Sequence, residues 1–245
     1  MGQSELSPEV AVTAAKTSRV AVVTGSSSGI GRAIAVRLLA EGWAVHGIDL
    51  NPASLEADGF TADRCDLADA QAIDSLCAKL PKAQAVVHAA GAMRTARLGH
   101  LRDDDARWMY GLHAGAAARL AEAMLPQMAQ AGWGRMVLIG SRVAQGMAGR
   151  SLYAASKAAQ VAMARSWAAE VVAQGVTVNV VSPAATRTAM TVDPARAGSA
   201  PRVPPIGRLI EPDDIAALVA FLLSPQADAI TGQDIAVCGG ASLST

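Results

Sequence analysis

From Arg19 onward, short apolar runs alternate with amphipathic stretches. The runs at 20–23, 44–48, 85–88, 135–139 and 176–181 are too short for helices, and they are rich in valine, isoleucine and alanine. They predict strands buried on both faces. A shorter strand at 60–64 and a last one at 234–238 complete the set. Helical periodicity fills the intervals at 30–41, 70–79, 104–131, 153–173 and 212–223. Strands buried on both faces and alternating with helices predict an α/β domain built on a doubly wound, mostly parallel sheet of seven strands. The link between the second and third strands, through Pro52, is short, so a helix there is reduced or absent. Residues 1–18 carry Pro8 and no strong period and read as a tail outside the fold. Residues 192–205, with three prolines near their end, form the main part of a lid loop at about 189–206 within a single domain spanning 19–245.

Composition narrows the functional classes. Apolar residues make up 51% and charged residues 17%, enough apolar surface for a substantial core and for subunit contacts besides. A homo-oligomer is therefore expected. Net charge is zero and there is no basic run, so nucleic acid and anionic membranes have no electrostatic footprint here. Cys65, Cys77 and Cys238 are odd in number and lack metal-type spacing; they read as reduced thiols of a cytoplasmic protein, with no metal site. Neither a membrane-spanning run nor a signal-peptide pattern is present.

Candidate chemistry begins with Tyr153 and Lys157, four residues apart and hence on one helix face. A free phenol has a pKa of about 10. A fixed ammonium beside it favours the phenolate and brings proton exchange with an alcohol toward neutral pH. The first strand is followed by Thr24-Gly-Ser-Ser-Ser-Gly-Ile-Gly31, which opens a helix. Such a turn lets a pyrophosphate approach the backbone and the helix N-terminus, and it marks Gly25, Ser27, Ser28, Gly29, Ile30 and Gly31 as dinucleotide-binding candidates. Asp49 ends the second strand about twenty residues later, where a carboxylate bonds ribose hydroxyls and repels a 2′-phosphate. No Arg or Lys stands at 26–28 or 50–51 to offset it, so NAD is favoured over NADP.

Together, TGxxxGxG, YxxxK and Asn179-Val-Val-Ser-Pro183 resemble the classical short-chain dehydrogenase/reductase family from Arg19 to the C-terminus. The resemblance implies a single-domain Rossmann-type fold and further cofactor contacts at Leu50, Asp66, Leu67, His88, Ala89, Ala90, Gly91, Pro183, Ala184, Thr186 and Thr188, with Tyr153 and Lys157 also touching the cofactor. It implies that Ser141 orients the substrate, with Ser151 as a second candidate. Gly140 occupies an alternative spacing and has no hydroxyl. His113 takes the place of the family's helix-bending Asn, which holds a water in the proton relay. The imidazole either serves that relay or simply bonds a nearby carbonyl. His88-Ala-Ala-Gly91 replaces both asparagines of the usual Asn-Asn-Ala-Gly.

The activity implied is hydride transfer between a nicotinamide and a secondary alcohol or ketone. The small-molecule substrate is of dihydrodiol, polyol or sugar, or 3-oxoacyl type. A catalytically silent NAD-binding homologue is the alternative. Arg196 and Arg202 in the lid could bind a carboxylate but read rather as solvated, and Arg142, directly after Ser141, is better placed for an acidic substrate. A homotetramer built on the helices around Leu112 and Ala159 is the assembly the resemblance implies, with Ala154, Ala155, Ala158 and Ala159 allowing close approach.

Overall fold

A computed structural model describes residues 19–189 and 202–243. The 1–18 tail, most of the lid loop and Arg196 lie outside the described residues. The chain runs β1 (Val20–Thr24), α1 (Gly29–Ala40), β2 (Ala44–Asp49), β3 (Phe60–Arg64), α2 (Ala70–Cys77), β4 (Ala85–His88), α3 (Asp103–Tyr110) and α4 (Ala116–Gln130). It continues through β5 (Gly134–Ile139), α5 (Ser151–Val171), β6 (Val176–Pro183), α6 (Pro212–Leu222) and β7 (Asp234–Val237). All seven strands pair in parallel, in the order β3-β2-β1-β4-β5-β6-β7.

The continuous apolar runs are explained by the two cores. Val22, Val86, Met136, Leu138, Val178 and Val180 point to one face, where Ile73 of α2, Leu120 and Met124 of α4 and Ala164 and Ala168 of α5 cover them. Their neighbours Ala21, Val23, Val87, Val137, Ile139 and Val181 point to the other face, against Ile34 and Leu38 of α1 and Ile215 and Val219 of α6. A strand covered on both sides has no polar face to present, so alternation vanishes from its sequence. No helix links β2 to β3, as the short connection predicts.

The predicted helix 104–131 is interrupted. Between α3 and α4 the backbone takes one π-helical turn, Gly111–Gly115, with His113 at its centre. A π-turn adds a residue to the helical circuit and shifts every side chain after it, which 3.6-residue periodicity cannot reveal.

The chain winds outward from β1 in both directions, through β2 to β3 and through β4 to β7. A crevice opens at such a reversal, beyond the carboxyl ends of β1 and β4.

Candidate active site

That crevice is a cavity of about 1170 Å³. Residues that follow the strand ends line it: Gly25 after β1, Asp49 on β2, Asp66 after β3, Gly91 after β4, Ser141 after β5 and Pro183 on β6.

At one end the glycine turn sets the geometry. Gly25 sits at φ +70°, and a Cβ there would meet the Ala90 backbone at 3.0 Å. A Cβ on Gly31 would stand 2.2 Å from the Gly25 carbonyl oxygen, so only glycine lets α1 start this close to β1. Ser28 makes no side-chain cap to α1, and the first turn holds no acid. Uncapped amides and the positive end of the helix dipole therefore face the cavity, an arrangement suited to a pyrophosphate. The Asp49 carboxylate accepts the N–H groups of Ser27 (3.0 Å) and Asn51 (2.8 Å), which fixes it at the rim. Asp66 accepts the Ala68 N–H at 2.9 Å and lines the same end with Leu67. These residues fit a dinucleotide.

Two predicted contacts stand elsewhere. His88 is fully buried and lies behind the cavity wall, its two ring nitrogens occupied. Nε2 lies 3.1 Å from the Leu112 carbonyl and must donate to it, which leaves Nδ1 to accept the Thr24 hydroxyl at 2.9 Å. The Thr24 oxygen in turn accepts the N–H groups of Ala89 and Ala90. His88 thus acts on the cofactor wall through Thr24. Burial, and then the charge of Lys157, pull its pKa down to about 3. Ser27 spends its N–H on Asp49 and its carbonyl on Ser54, and it too is absent from the lining.

At the other end, Tyr153 and Lys157 both reach the cavity from α5, with Ser141 opposite. Gly140 cannot be the serine position: a Cβ there would lie 2.6 Å from Ser182 Oγ and from Val180 Cγ1. Ser151 is exposed at the start of α5 and does not line the cavity. Lys157 is buried, and its Nζ donates to the Ile139 carbonyl (2.7 Å) and to Gln160 Oε1 (3.0 Å). With neutral acceptors only, burial pulls its pKa down to about 7.

Gln160, absent from the sequence expectations, then donates through Nε2 to the His113 carbonyl at 3.1 Å. The His113 ring accepts the Ala92 N–H on Nε2 (3.2 Å), so its proton sits on Nδ1, 2.8 Å from Ser156 Oγ. Ser156 passes its own proton to the Tyr153 carbonyl at 2.8 Å. The imidazole meets the Tyr153 ring edge-on, centroids 5.5 Å apart. Burial first, and the Lys157 charge second, hold His113 far below the ordinary imidazole range, so the ring is neutral. Gly91 closes this cluster: a Cβ on it would approach His113 Nε2 to 3.2 Å and Lys157 Nζ to 3.6 Å.

Ala89, Ala90, Ala184, Thr186 and Thr188 line the cavity as expected. Met93, Trp108, Met147 and Arg150 line it as well, from the segments after β4 and β5. Their spacing carries no motif, and nothing short of the folded backbone places them here.

Comparison with known proteins agrees with this geometry. A family model described as "Enoyl-(Acyl carrier protein) reductase" matches residues 25–242. The 3-oxoacyl-(acyl-carrier-protein) reductase FabG of Salmonella typhimurium is 37% identical over 236 residues, covering 91% of this chain and 96% of the relative. That of Haemophilus influenzae is 36% identical over 240 residues, covering 92% and 99%. A solved short-chain dehydrogenase/reductase family protein superposes with TM-score 0.83 at 33% identity, over 91% of this chain and 96% of that one. A 4-hydroxyisoleucine dehydrogenase complexed with NADH shares the fold at TM-score 0.84 and 24% identity, over 93% and 100%. The chain belongs to the short-chain dehydrogenase/reductase family and is an oxidoreductase of that class.

Proposed function

We propose that the protein interconverts a secondary alcohol and its ketone with NAD(H), using Tyr153 as the proton carrier. One observation carries this reading. Tyr153, Lys157 and Ser141 line the same cavity whose far end is built from the uncapped start of α1 and the Asp49 carboxylate. The bound nicotinamide supplies or accepts the hydride. Tyr153 gives or takes the hydroxyl proton at the substrate oxygen, and Ser141 Oγ bonds that oxygen and fixes its position. Lys157 lowers the phenol pKa when charged and offers its ammonium to the nicotinamide ribose. His113 is a positioning residue in this scheme: both ring nitrogens are engaged, and its carbonyl is bonded to the Gln160 amide. The Gln160 side-chain amide thus already occupies the His113 carbonyl.

NAD is preferred in this proposal because a 2′-phosphate would meet the Asp49 carboxylate. The structure brings one cation near that point which the sequence reading missed: Arg64 Nε donates to the Leu50 carbonyl at 2.7 Å. Arg64 is exposed and outside the cavity lining, so Asp49 decides the preference. The homotetramer belongs to the proposal too, supported by the small residues Ala155, Ala158 and Ala159, exposed or half-buried on α5. A catalytically silent homologue has no need of a tyrosine, lysine and serine converging on one cavity.

Tyr153→Phe tests the reading. Turnover of a ketone panel with NADH should fall by about two to four orders of magnitude, while NADH binding, followed by its fluorescence, stays within a few-fold. Undiminished turnover in the variant would overturn the assignment.

A further inference from the structure

We infer that the substrate carries a carboxylate close to its reacting carbon, held by Arg142 and Arg150. This rests on the proposed reading of the cavity as the site of hydride transfer. Arg142 directly follows Ser141 and Arg150 precedes Tyr153 by three residues, and all four line the same cavity. The short 3₁₀ turn that starts at Arg142 packs against α5, which starts just after Arg150.

Both side chains are half-buried, and neither has a carboxylate partner among the described residues. That sets them apart from the other arginines. Arg37, Arg94, Arg107, Arg119, Arg187 and Arg208 are ion-paired. Arg19, Arg32, Arg64, Arg97, Arg102, Arg165 and Arg202, the last also in the cavity lining, have no such partner and are exposed to water. Arg135 is fully buried without an ion pair, but it donates to the Gly134 and Gly175 carbonyls and stacks on Trp133. Withdrawing a guanidinium partly from water without an anion is unfavourable, and two doing so in one cavity mark a place for one.

The cavity's own acids, Asp49 and Asp66, stand at the glycine-turn end and leave the arginines free. Around them the wall is apolar, from Met93, Trp108, Val143 and Met147. The ligand class that matches is an oxo or hydroxy acid with an aliphatic body. The phosphate of a phosphopantetheine arm is anionic too, but it lies more than ten bonds from an acyl carbonyl. An anchor set beside Ser141 and Tyr153 fits a carboxylate a few bonds away.

The test is calorimetric titration of the protein, alone and with NADH, using butanoate, hexanoate and octanoate, each beside its methyl ester, and 4′-phosphopantetheine. At least one acid should bind about ten-fold or more tightly than its ester. Arg142→Gln and Arg150→Gln should each erase most of that preference, with NADH affinity and ester binding unchanged. Arg142→Lys and Arg150→Lys, which keep the charge but lose the fork, should keep part of it. Equal affinity for acid and ester, or a preference untouched by both Gln variants, would overturn the inference. So would tight phosphopantetheine binding through the arginines with no preference for acids. Failure of the hydride-transfer reading would show separately, as absent NADH binding or Tyr153-independent turnover, and the acid-over-ester ratio in the protein alone would still decide the anchor.

Discussion

Asp49 shows how a single side chain can set cofactor choice. Its Oδ1 accepts the backbone and, more weakly, the side-chain N–H of Asn51, while Oδ2 accepts only the Ser27 N–H and keeps a lone pair for a ribose hydroxyl. Asp49→Ser removes the charge that opposes a 2′-phosphate and leaves Arg64 nearby. The expected outcome is a fall of about ten-fold in the NADH-over-NADPH affinity ratio, read from fluorescence titrations. An unchanged ratio would place the preference elsewhere. Asp49 was legible because its spacing from the glycine turn is local information. Arg64 was not, because it arrives through pairing of β3 with β2, where Asp49 and Arg64 are register partners. The same limit applies to His88. Its position in the sequence suggested contact with the cofactor, whereas its tautomer and bonds tie it to Thr24 and Leu112.

Elements were read well where the period was uniform. Each strand at its predicted place ends within about two residues of expectation, because β-branched runs between glycines have few alternatives. The failure at Gly111–Gly115 is instructive: a π-turn leaves composition unchanged and alters only phase. That turn gains from α5 what it loses in regular bonding, since the His113 carbonyl is met by Gln160 and the His113 ring by Ser156. Gln160 therefore ties α5 to the π-turn and, through Lys157, to the end of β5. Gln160→Leu leaves a buried carbonyl and one ammonium hydrogen unpaired, at a cost of about 1–3 kcal/mol. Its melting temperature should drop accordingly. Losing an acceptor also disfavours the charged lysine, which raises the Tyr153 pKa. The acid limb of alcohol oxidation should move to higher pH. A stable variant with an unmoved limb would contradict the link.

At the scale of the whole molecule, the doubly wound sheet follows from sequence alternation and the nucleotide end from the glycine turn after β1, while the substrate wall of Met93, Trp108 and Met147 follows from neither. No helix among the described residues is long and apolar enough to cross a membrane. The interior holds two neutral imidazoles, His88 and His113. In the unfolded chain each takes a proton near pH 6.5, whereas in the fold His88 resists down to about 3. Between those values the unfolded state binds more protons, so stability falls as pH drops from about 6.5. His88→Asn should flatten that acid limb in melting temperatures measured from pH 4 to 7, and an equally steep limb would refute the assignment. Hydride transfer itself is tested most directly with NADH deuterated at C4, offered with a panel of ketones to wild type and to Tyr153→Phe. The account predicts deuterium on the carbinol carbon of the product in the wild type, and almost none from the variant although NADH still binds. Label transfer as fast in the variant as in the wild type, or NADH bound by the wild type with no transfer to any ketone, would contradict it.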